Sequence, residues 1–286
     1  METAENQHAL SPAEIQHTLA SIEIPACPVL VTQVMAEFQK ESPDQAVATR
    51  LIAADVGMSA FTLKLANSPL FRRGEATNSV AQAIARLGSR NIVCVVVAAA
   101  LRTSMSSDLS PEFLERFWTQ AGNVATAAGI IARKLRGISS DSAYTYALFH
   151  DAAIPVMMRR FPDYAELMEY ASKNELDLPP LESERYRCTH AIVGGLLAKN
   201  WLLPQNIVMA IRHHHDVEAF DPKLNIVSDE VRALIAIVHV AEKLSSEVLG
   251  GAAMEVGKLY DLATEYLGLH EDDQQDLRDD LADALL

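Results

Sequence analysis

Apolar residues recur at intervals of three and four along most of this chain, and that spacing predicts helices. The pattern is clear in three segments: Val47, Leu51 and Ile52; Val80, Ile84 and Leu87; Ile207, Ala210 and Ile211. The longest apolar run, residues 92–101, begins with β-branched residues that are typical of strands. It continues into alanines without a turn residue, so we interpret it as a buried helix. The pattern as a whole predicts an all-α fold.

Four serines mark predicted helix starts, because each precedes a proline, a capping-box residue or both. They are Ser11, Ser42, Ser79 and Ser110. The helix that Ser110 begins is expected to run to about Lys134. Gly88 is expected to end the helix that Ser79 begins, since glycine commonly follows the last helical residue.

Three polar segments are predicted to be loops: residues 103–110, 176–181 and 220–227. The first is rich in serine and is interpreted as a linker between two helical lobes, residues 16–105 and 110–245. We expect residues 1–15 to form an N-terminal arm and residues 246–286 a C-terminal helical extension with an acidic tail. Leucines at a spacing of four, Leu277, Leu281 and Leu285, indicate that this tail forms an amphipathic helix.

The composition restricts the classes of partner. Hydrophobic residues make up 49% of the chain, which supports a large core, and the formal net charge is −14. So acidic a chain is a poor match for nucleic-acid phosphates or an anionic membrane surface. The N-terminus lacks the pattern of a secretory signal, and the longest apolar run is about half of a membrane span. Three scattered cysteines fit reduced thiols. We therefore expect a cytoplasmic protein that binds neither nucleic acid nor membrane.

Two further features are interpreted as packing. Gly194-Gly195 lacks the lysine and preceding strand of a phosphate loop, and is expected to let two helices approach closely. Trp118 follows Phe113 and Phe117 at helical spacing. We expect these rings to lie in the core rather than to form an aromatic binding surface.

Histidines next to carboxylates are the strongest chemical signal. His150 directly precedes Asp151 within a stretch predicted to be a buried helix, His190 follows, and residues 213–215 are three histidines before Asp216. Imidazole and carboxylate are ligand types for Mn, Fe, Ni or Zn. Neighbouring residues on a helix point about 100° apart, so we expect one of the three histidines, His213, to face elsewhere. The pattern predicts either a metal site or buried imidazole–carboxylate pairs that stabilise helix packing.

Several stretches occur in a characteristic order along residues 16–245. They are Ile24-Pro25-Ala26-Cys27-Pro28, Ala66-Asn67-Ser68-Pro69-Leu70-Phe71, Ala83-Ile84-Ala85-Arg86-Leu87-Gly88, His190-Ala191-Ile192-Val193-Gly194, Trp201-Leu202-Leu203-Pro204 and Arg212-His213-His214-His215. In this order they resemble the motifs of HDOD domains, the HD-related output domains of bacterial signalling proteins. The resemblance implies a multi-helix HDOD-type bundle. In it, an N-terminal helical lobe packs on a degenerate form of the lobe found in HD metal-dependent phosphohydrolases.

The resemblance also implies a set of metal ligands, which this chain keeps in part. The matching positions are His150, Asp151, His190, His214, His215 and Glu242. Gln120 stands where active HD enzymes have a further histidine ligand, and a neutral amide is a poor substitute for imidazole. Glu242 replaces an aspartate and reaches one methylene further. Ile154 stands where the cyclic-dinucleotide branch of the family has a helping lysine.

We therefore expect a non-catalytic bacterial signal-transduction protein that acts through protein–protein contacts with a signalling partner and that could form a homodimer. No cofactor is expected under this interpretation. The alternative is a metal-dependent phosphohydrolase or phosphodiesterase that acts on a nucleotide and requires a divalent metal such as Mn or Fe. A third interpretation is a structural metal without catalysis. Under the main interpretation, the cleft between the lobes is the expected place for a ligand or partner peptide, because sites favour domain interfaces.

Overall fold

The computed structural model of the chain describes residues 21–105, 109–251 and 257–286. Over these residues it contains fourteen α-helices, one 3-10 turn and no strand, so the predicted all-α fold is confirmed. The helices are α1 Val29–Phe38, α2 Gln45–Ala53, α3 Val56–Ala66, α4 Val80–Ser104, α5 Pro111–Lys134, α6 Ser140–Phe149, α7 Ile154–Arg160, α8 Tyr164–Lys173, α9 Leu178–Tyr186, α10 His190–Asn200, α11 Gln205–His213, α12 Asp229–Val248, α13 Lys258–Leu267 and α14 Glu271–Leu285.

Helix starts follow local capping. The Ser110 hydroxyl accepts a hydrogen bond from the Phe113 N–H at 3.2 Å, and α5 ends at Lys134 as predicted. The start predicted at Ser42 was wrong, because Asp44 is the capping residue of α2. Its carboxylate accepts from the Ala46 N–H at 2.8 Å, while its own N–H donates to Glu37 at the end of α1. The start predicted at Ser11 lies outside the described residues.

Two of the predicted loops were wrong at their edges. Residues 178–181 belong to α9, which carries Pro179 and Pro180 in its first turn. Proline is tolerated there because the first helical N–H groups have no partner within the helix. The linker predicted from residue 103 begins later, since α4 continues through Ser104, and residues 106–108 lie outside the described part. The loop predicted at residues 220–227 is confirmed, apart from Phe220, which ends the 3-10 turn Val217–Phe220.

Gly88 breaks α4, as its predicted stop implies. It adopts a φ of 73°, a conformation that favours glycine, and the segments Val80–Ser89 and Asn91–Ser104 meet there at 113°. The apolar residues 92–101 are helical and, apart from the partly buried Val93, fully buried, which confirms their interpretation as a core helix. No single helix in the described part of the chain is long and apolar enough to cross a membrane. Two sharply bent helix pairs reach that length and apolarity only in combination.

The N-terminal helices α1–α3 pack on α4, and α4 packs on α6 of the C-terminal lobe. Trp201 at the end of α10 donates its indole N–H to the Pro25 carbonyl at 2.7 Å, which ties the segment before α1 to the C-terminal lobe. α10 and α11 approach closely at Gly194, where an added Cβ would lie 2.8 Å from Ile211 Cγ2. α14 covers α12 and α5 with the buried Leu277 and Leu281, as the leucine spacing predicted. The exact limits of the arm, lobes and extension stay predictions.

Candidate metal centre

The His150-Asp151 pair lies at the end of a helix, not inside one as predicted. α6 ends at Phe149, and His150 is its C-terminal capping residue. Asp151 lies in the turn that leads into α7. Pro155 explains the break, because a proline four residues after Asp151 would remove a helical hydrogen bond and collide with the Asp151 carbonyl. The turn points both side chains towards α10, α11 and α12.

One group of candidate ligands forms around one oxygen of Asp151. Asp151 Oδ1 lies 3.4 Å from His190 Nε2 and 3.4 Å from His214 Nε2. His215 Nε2 lies 2.8 Å from His190 Nε2. The ligand atoms of these four residues all lie within 4.8 Å of one another, so one ion could contact them together.

A second group forms around the other oxygen. Asp151 Oδ2 lies 3.2 Å from His150 Nε2, which in turn lies 2.8 Å from Glu242 Oε1. The ligand atoms of these three residues also all lie within 4.8 Å of one another. Asp151 therefore belongs to both groups and presents one oxygen to each, which is the arrangement of a carboxylate able to bridge two ions.

The histidines are oriented by hydrogen bonds on their outer nitrogens. His150 Nδ1 donates to the Ala147 carbonyl at 2.7 Å, and His214 Nδ1 donates to the Ile211 carbonyl at 2.6 Å. A carbonyl only accepts, so Nδ1 carries the proton and Nε2 is left to face the centre. His214 Nε2 is buried and makes no hydrogen bond. A buried nitrogen with an available lone pair beside a carboxylate fits a metal ligand, so these residues suit a divalent ion.

Sequence reasoning missed one residue of the centre, Glu182 of α9. It is fully buried and accepts hydrogen bonds from His190 Nδ1 at 2.8 Å, from the His190 N–H at 3.1 Å and from the Tyr164 hydroxyl. A signal was present, since Leu178, Glu182 and Tyr186 share one buried helix face at a spacing of four. Our interpretation of residues 176–181 as a loop concealed that spacing.

The charges of the cluster are strongly coupled. Burial acts to lower the pKa of His150, but Asp151 and Glu242 together outweigh it and raise that pKa well above its usual range. His190 behaves in the same way, with Glu182 and Asp151 raising its pKa to about 10. Burial raises the carboxyl pKa of Glu242, but His150 outweighs it and lowers the value to about 2. Without a metal, protons on His150 and His190 therefore balance carboxylates that stay ionised at neutral pH.

The net pKa shift is downward at the other two histidines. Burial is the main cause that lowers the pKa of His214, and with the neighbouring imidazoles it lowers the pKa of His215 well below its usual range. Both rings are therefore neutral at neutral pH. Neutral imidazole is the form that binds a metal.

A cavity of about 790 Å³ opens onto the second group. Its floor includes His150, Asp151, His190 and Glu242, and its walls come from α5, the start of α9 and the end of α12. This cavity lies within the C-terminal lobe and not between the lobes, because the cluster is built entirely from residues of the C-terminal lobe. A ligand or partner peptide in the cleft between the lobes stays a prediction.

Two departures from the family pattern face this cavity. Gln120 lies exposed on the α5 wall, and Ile154 is buried in the wall beside Asp151. Among the described lining residues, Arg116 is the one lysine or arginine, and it shares its wall with Glu112 and Glu115. A phosphate in this cavity would therefore meet more carboxylates than cations.

All six candidate ligands lie in one cluster, and His213 and His239 lie outside it. His213 faces away as expected, and its Nδ1 lies 2.7 Å from Asp216 Oδ2. His239 packs beside the cluster and donates from Nε2 to the His214 carbonyl at 2.7 Å. Trp118 is buried as expected, while Phe113 and Phe117 are partly buried against the core.

Comparison with solved structures shows which known folds resemble this helical architecture. Its fold is similar to that of an HDOD domain protein of unknown function from Geobacter sulfurreducens, with a TM-score of 0.71, 20% identity, and 96% of this chain and 94% of that chain covered. It is similar to a "Putative signal transduction protein" from Marinobacter aquaeolei VT8, with a TM-score of 0.68, 19% identity, and 95% of this chain and 62% of that chain covered. It is also similar to a "Putative phosphohydrolase" from Shewanella amazonensis SB2B, with a TM-score of 0.65, 19% identity, and 94% and 98% covered.

One curated relative also matches. It is an uncharacterized protein from Treponema pallidum (strain Nichols), 24% identical over 214 residues. The match covers 72% of this chain and 41% of that protein, so this chain spans less than half the length of its curated relative. The HDOD domain family itself matches residues 24–217. With its helical architecture and its histidine cluster in family order, the chain belongs to the HDOD domain family, which is related to the HD phosphohydrolases.

Proposed function

We propose that this protein is a non-catalytic signal-transduction protein that acts through protein–protein contacts and holds a divalent metal as a structural centre. The observation that supports the absence of hydrolysis is the wall of the 790 Å³ cavity. Ile154 takes the place where a related enzyme branch has a lysine, and Gln120 offers a neutral amide in place of an imidazole. Charge building up on a phosphoryl group would lack that lysine, and Arg116, which also lines the cavity, shares its wall with Glu112 and Glu115.

The metal part of the proposal takes up the third interpretation of the sequence, a structural metal without catalysis, whereas the main interpretation expected no cofactor. Its support is the inward-facing Nε2 atoms, the shared Asp151 carboxylate and the unpartnered His214 Nε2. The ion would be held by His190, His214, His215 and Asp151, and a second ion by His150, Asp151 and Glu242. Mn or Fe suits this mixed imidazole and carboxylate set.

A metal-dependent phosphohydrolase or phosphodiesterase acting on a nucleotide is the second candidate function. The observation that favours it is that Asp151 presents one oxygen to each group beside an open cavity. A bound divalent ion would polarise a phosphoryl oxygen and lower the pKa of a water molecule. The ligands would be His150, Asp151, His190, His214, His215 and Glu242, and a water activated by the metal would be the nucleophile.

Metal analysis and hydrolysis assays separate the two functions. We expect protein purified without added metal to contain Mn or Fe, and to lose it in Asp151→Asn. The matched control is His213→Gln, which should keep the metal because His213 lies outside both groups. Under added Mn²⁺ or Fe²⁺ we expect no turnover of cyclic dinucleotides or nucleoside monophosphates.

Turnover that Asp151→Asn abolishes and His213→Gln preserves would overturn the non-catalytic proposal and establish the enzyme. Absence of metal in the wild-type protein, even after incubation with Mn²⁺ or Fe²⁺, would overturn the metal centre. A further arm tests the reason for inactivity, since Ile154→Lys with Gln120→His restores both missing groups. Weak hydrolysis gained by that double variant would support the argument from the cavity wall.

A further inference from the structure

We propose that a second cavity, between the two lobes, binds a segment of a partner protein that presents an apolar side chain beside a lysine or arginine. This interlobe cavity has a volume of about 420 Å³. Its N-terminal wall includes Met35 and Phe38 of α1 and Val93 of α4, and its opposite wall includes Leu203 and Ile207. The inference deepens the proposed function and rests on it for the identification of a protein partner.

The walls of the interlobe cavity combine apolar surface with negative charge. Asp141 of α6 and Glu230 of α12 supply carboxylates. Asp141 accepts a hydrogen bond from Asn91 Nδ2 at 3.0 Å, and Glu230 accepts one from Asn206 Nδ2 at 2.8 Å. Both of these donors are neutral amides, and the first turns of α6 and α12, where the two carboxylates lie, supply only the partial positive charge of a helix N-terminus. No lysine, arginine or histidine is among the described residues that line this cavity.

Charge complementarity therefore decides what kind of group belongs there. An apolar body would fill the space between the aliphatic walls, and a cation would pair with the two carboxylates. The N-terminal segment of this chain is a poor candidate for the occupant, because residues 1–20 contain three glutamates and no lysine or arginine. A partner is the better source, since a chain with a net charge of −14 attracts basic proteins. Leu202, more than half exposed at the rim, extends the apolar surface available to it.

The same cavity is connected to the His/Asp cluster by three helices. Asp141 lies in the first turn of α6 and His150 caps its C-terminal end, which places the cavity and the cluster about 13 Å apart along the helix axis. α11 begins beside Asn206 and leads to His214 and His215. α12 begins beside Glu230 and carries Glu242 further along.

The helices pack tightly at the end that meets the His/Asp cluster, so a movement at the cavity end reaches the candidate ligands. Gly194 leaves no room for a Cβ against Ile211 of α11, and a Cβ at this position would also lie 3.7 Å from the His150 carbonyl oxygen. A partner that displaces the starts of α6, α11 and α12 therefore changes the spacing of the ligands. Linkage makes the effect reciprocal, so metal occupancy changes the affinity for the partner by the same factor.

The test uses a panel of short capped peptides in which arginine or lysine flanks leucine or phenylalanine, with glutamate-substituted peptides as controls. We expect saturable binding of the basic peptides in calorimetry, weakened at high salt. Asp141→Asn with Glu230→Gln should reduce affinity about tenfold while preserving the hydrogen bonds to Asn91 and Asn206. The matched control is Glu112→Gln with Glu115→Gln, which removes two carboxylates from the other cavity and should leave peptide affinity unchanged.

Binding of no basic peptide, or equal binding by the Asp141/Glu230 double variant, would overturn the site. Equal binding of the glutamate peptides would overturn the charge argument. Mn²⁺ affinity with and without saturating peptide tests the coupling separately, and an unchanged value rejects the connection while the site stands. Peptide binding by a protein that takes up no metal would contradict the metal centre of the proposed function but not this surface.

Discussion

Glu182 accepts a hydrogen bond from His190 Nδ1 at 2.8 Å, although the two residues lie on different helices and Glu182 is fully buried. The contact sets which nitrogen of His190 faces the cluster. We therefore identify Glu182 as a positioning residue, since it orients a candidate ligand and contacts no substrate itself.

Glu182→Gln should lower the affinity for Mn²⁺ by about 10–100-fold, the usual cost of losing such a partner. Glutamine keeps the shape but removes the charge and one acceptor from His190 and Tyr164. Calorimetric titration of metal-free protein measures the change, and far-UV circular dichroism checks the fold. Glu184→Gln, an exposed change on the same helix, is the matched control. Equal affinity in the two variants would contradict the positioning role.

Gly194→Ala should destabilise the fold by about 1–3 kcal/mol. The added Cβ would lie 2.8 Å from Cγ2 of Ile211, a buried β-branched side chain that cannot swing aside. Urea unfolding provides the measurement. Gly122→Ala on α5 is the control, because its Cβ would meet nothing within 4 Å and should stabilise the helix by about 0.5–1 kcal/mol. A Gly194→Ala protein as stable as Gly122→Ala would disprove the close approach.

The metal-free protein should lose stability as the pH rises from about 6.5 to about 8. The folded pKa of His150 and of His190 is raised above the unfolded value of about 6.5. Protonation of these rings therefore stabilises the fold fully below that pH, and the contribution is lost as the pH rises towards the folded pKa values. Urea unfolding in EDTA measures the slope.

The lowered pKa values of His214 and His215 affect the free energy of unfolding mainly below about pH 6.5. There the unfolded chain binds more protons than the folded chain, so stability falls as the pH falls. Between about pH 6.5 and 8 the two lowered pKa values oppose the alkaline slope only weakly, because the unfolded rings are already mostly deprotonated there. Saturating Mn²⁺ is the control. Metal binding favours deprotonated rings, so it should remove or reverse the alkaline loss of stability. A metal-free protein whose stability rises between pH 6.5 and 8 would contradict the assigned charges.

A thiol reagent should label Cys27 alone in the native protein near neutral pH. Burial raises the pKa of Cys94 and of Cys188 to about 12, so neither forms the reactive thiolate, and both are buried. Cys27 is partly exposed, although burial raises its pKa as well. Mass spectrometry after brief labelling reports the site, and Cys27→Ser should abolish the signal until denaturant is added. Rapid native labelling of Cys188 would show that the segment between α9 and α10 opens.

Local physics explains which parts of the fold could be predicted. The period of apolar residues and the capping of α5 by Ser110 act over a few neighbouring residues, so they can be interpreted from the chain alone. Where two local signals compete, the outcome depends on contacts that the pattern does not contain. Asp44 rather than Ser42 caps α2, and its N–H binds Glu37 of the preceding helix.

The sequence by itself determined the all-α fold, the order of the family motifs and the six candidate ligands. Only the tertiary structure decided that Asp151 presents an oxygen to each group of ligands, that Glu182 holds His190, and that a cavity between the lobes meets the starts of three helices. The physical reason is distance along the chain. His150 and Glu242 are 92 residues apart in sequence and 2.8 Å apart in space, and such a contact depends on the path of every helix between them.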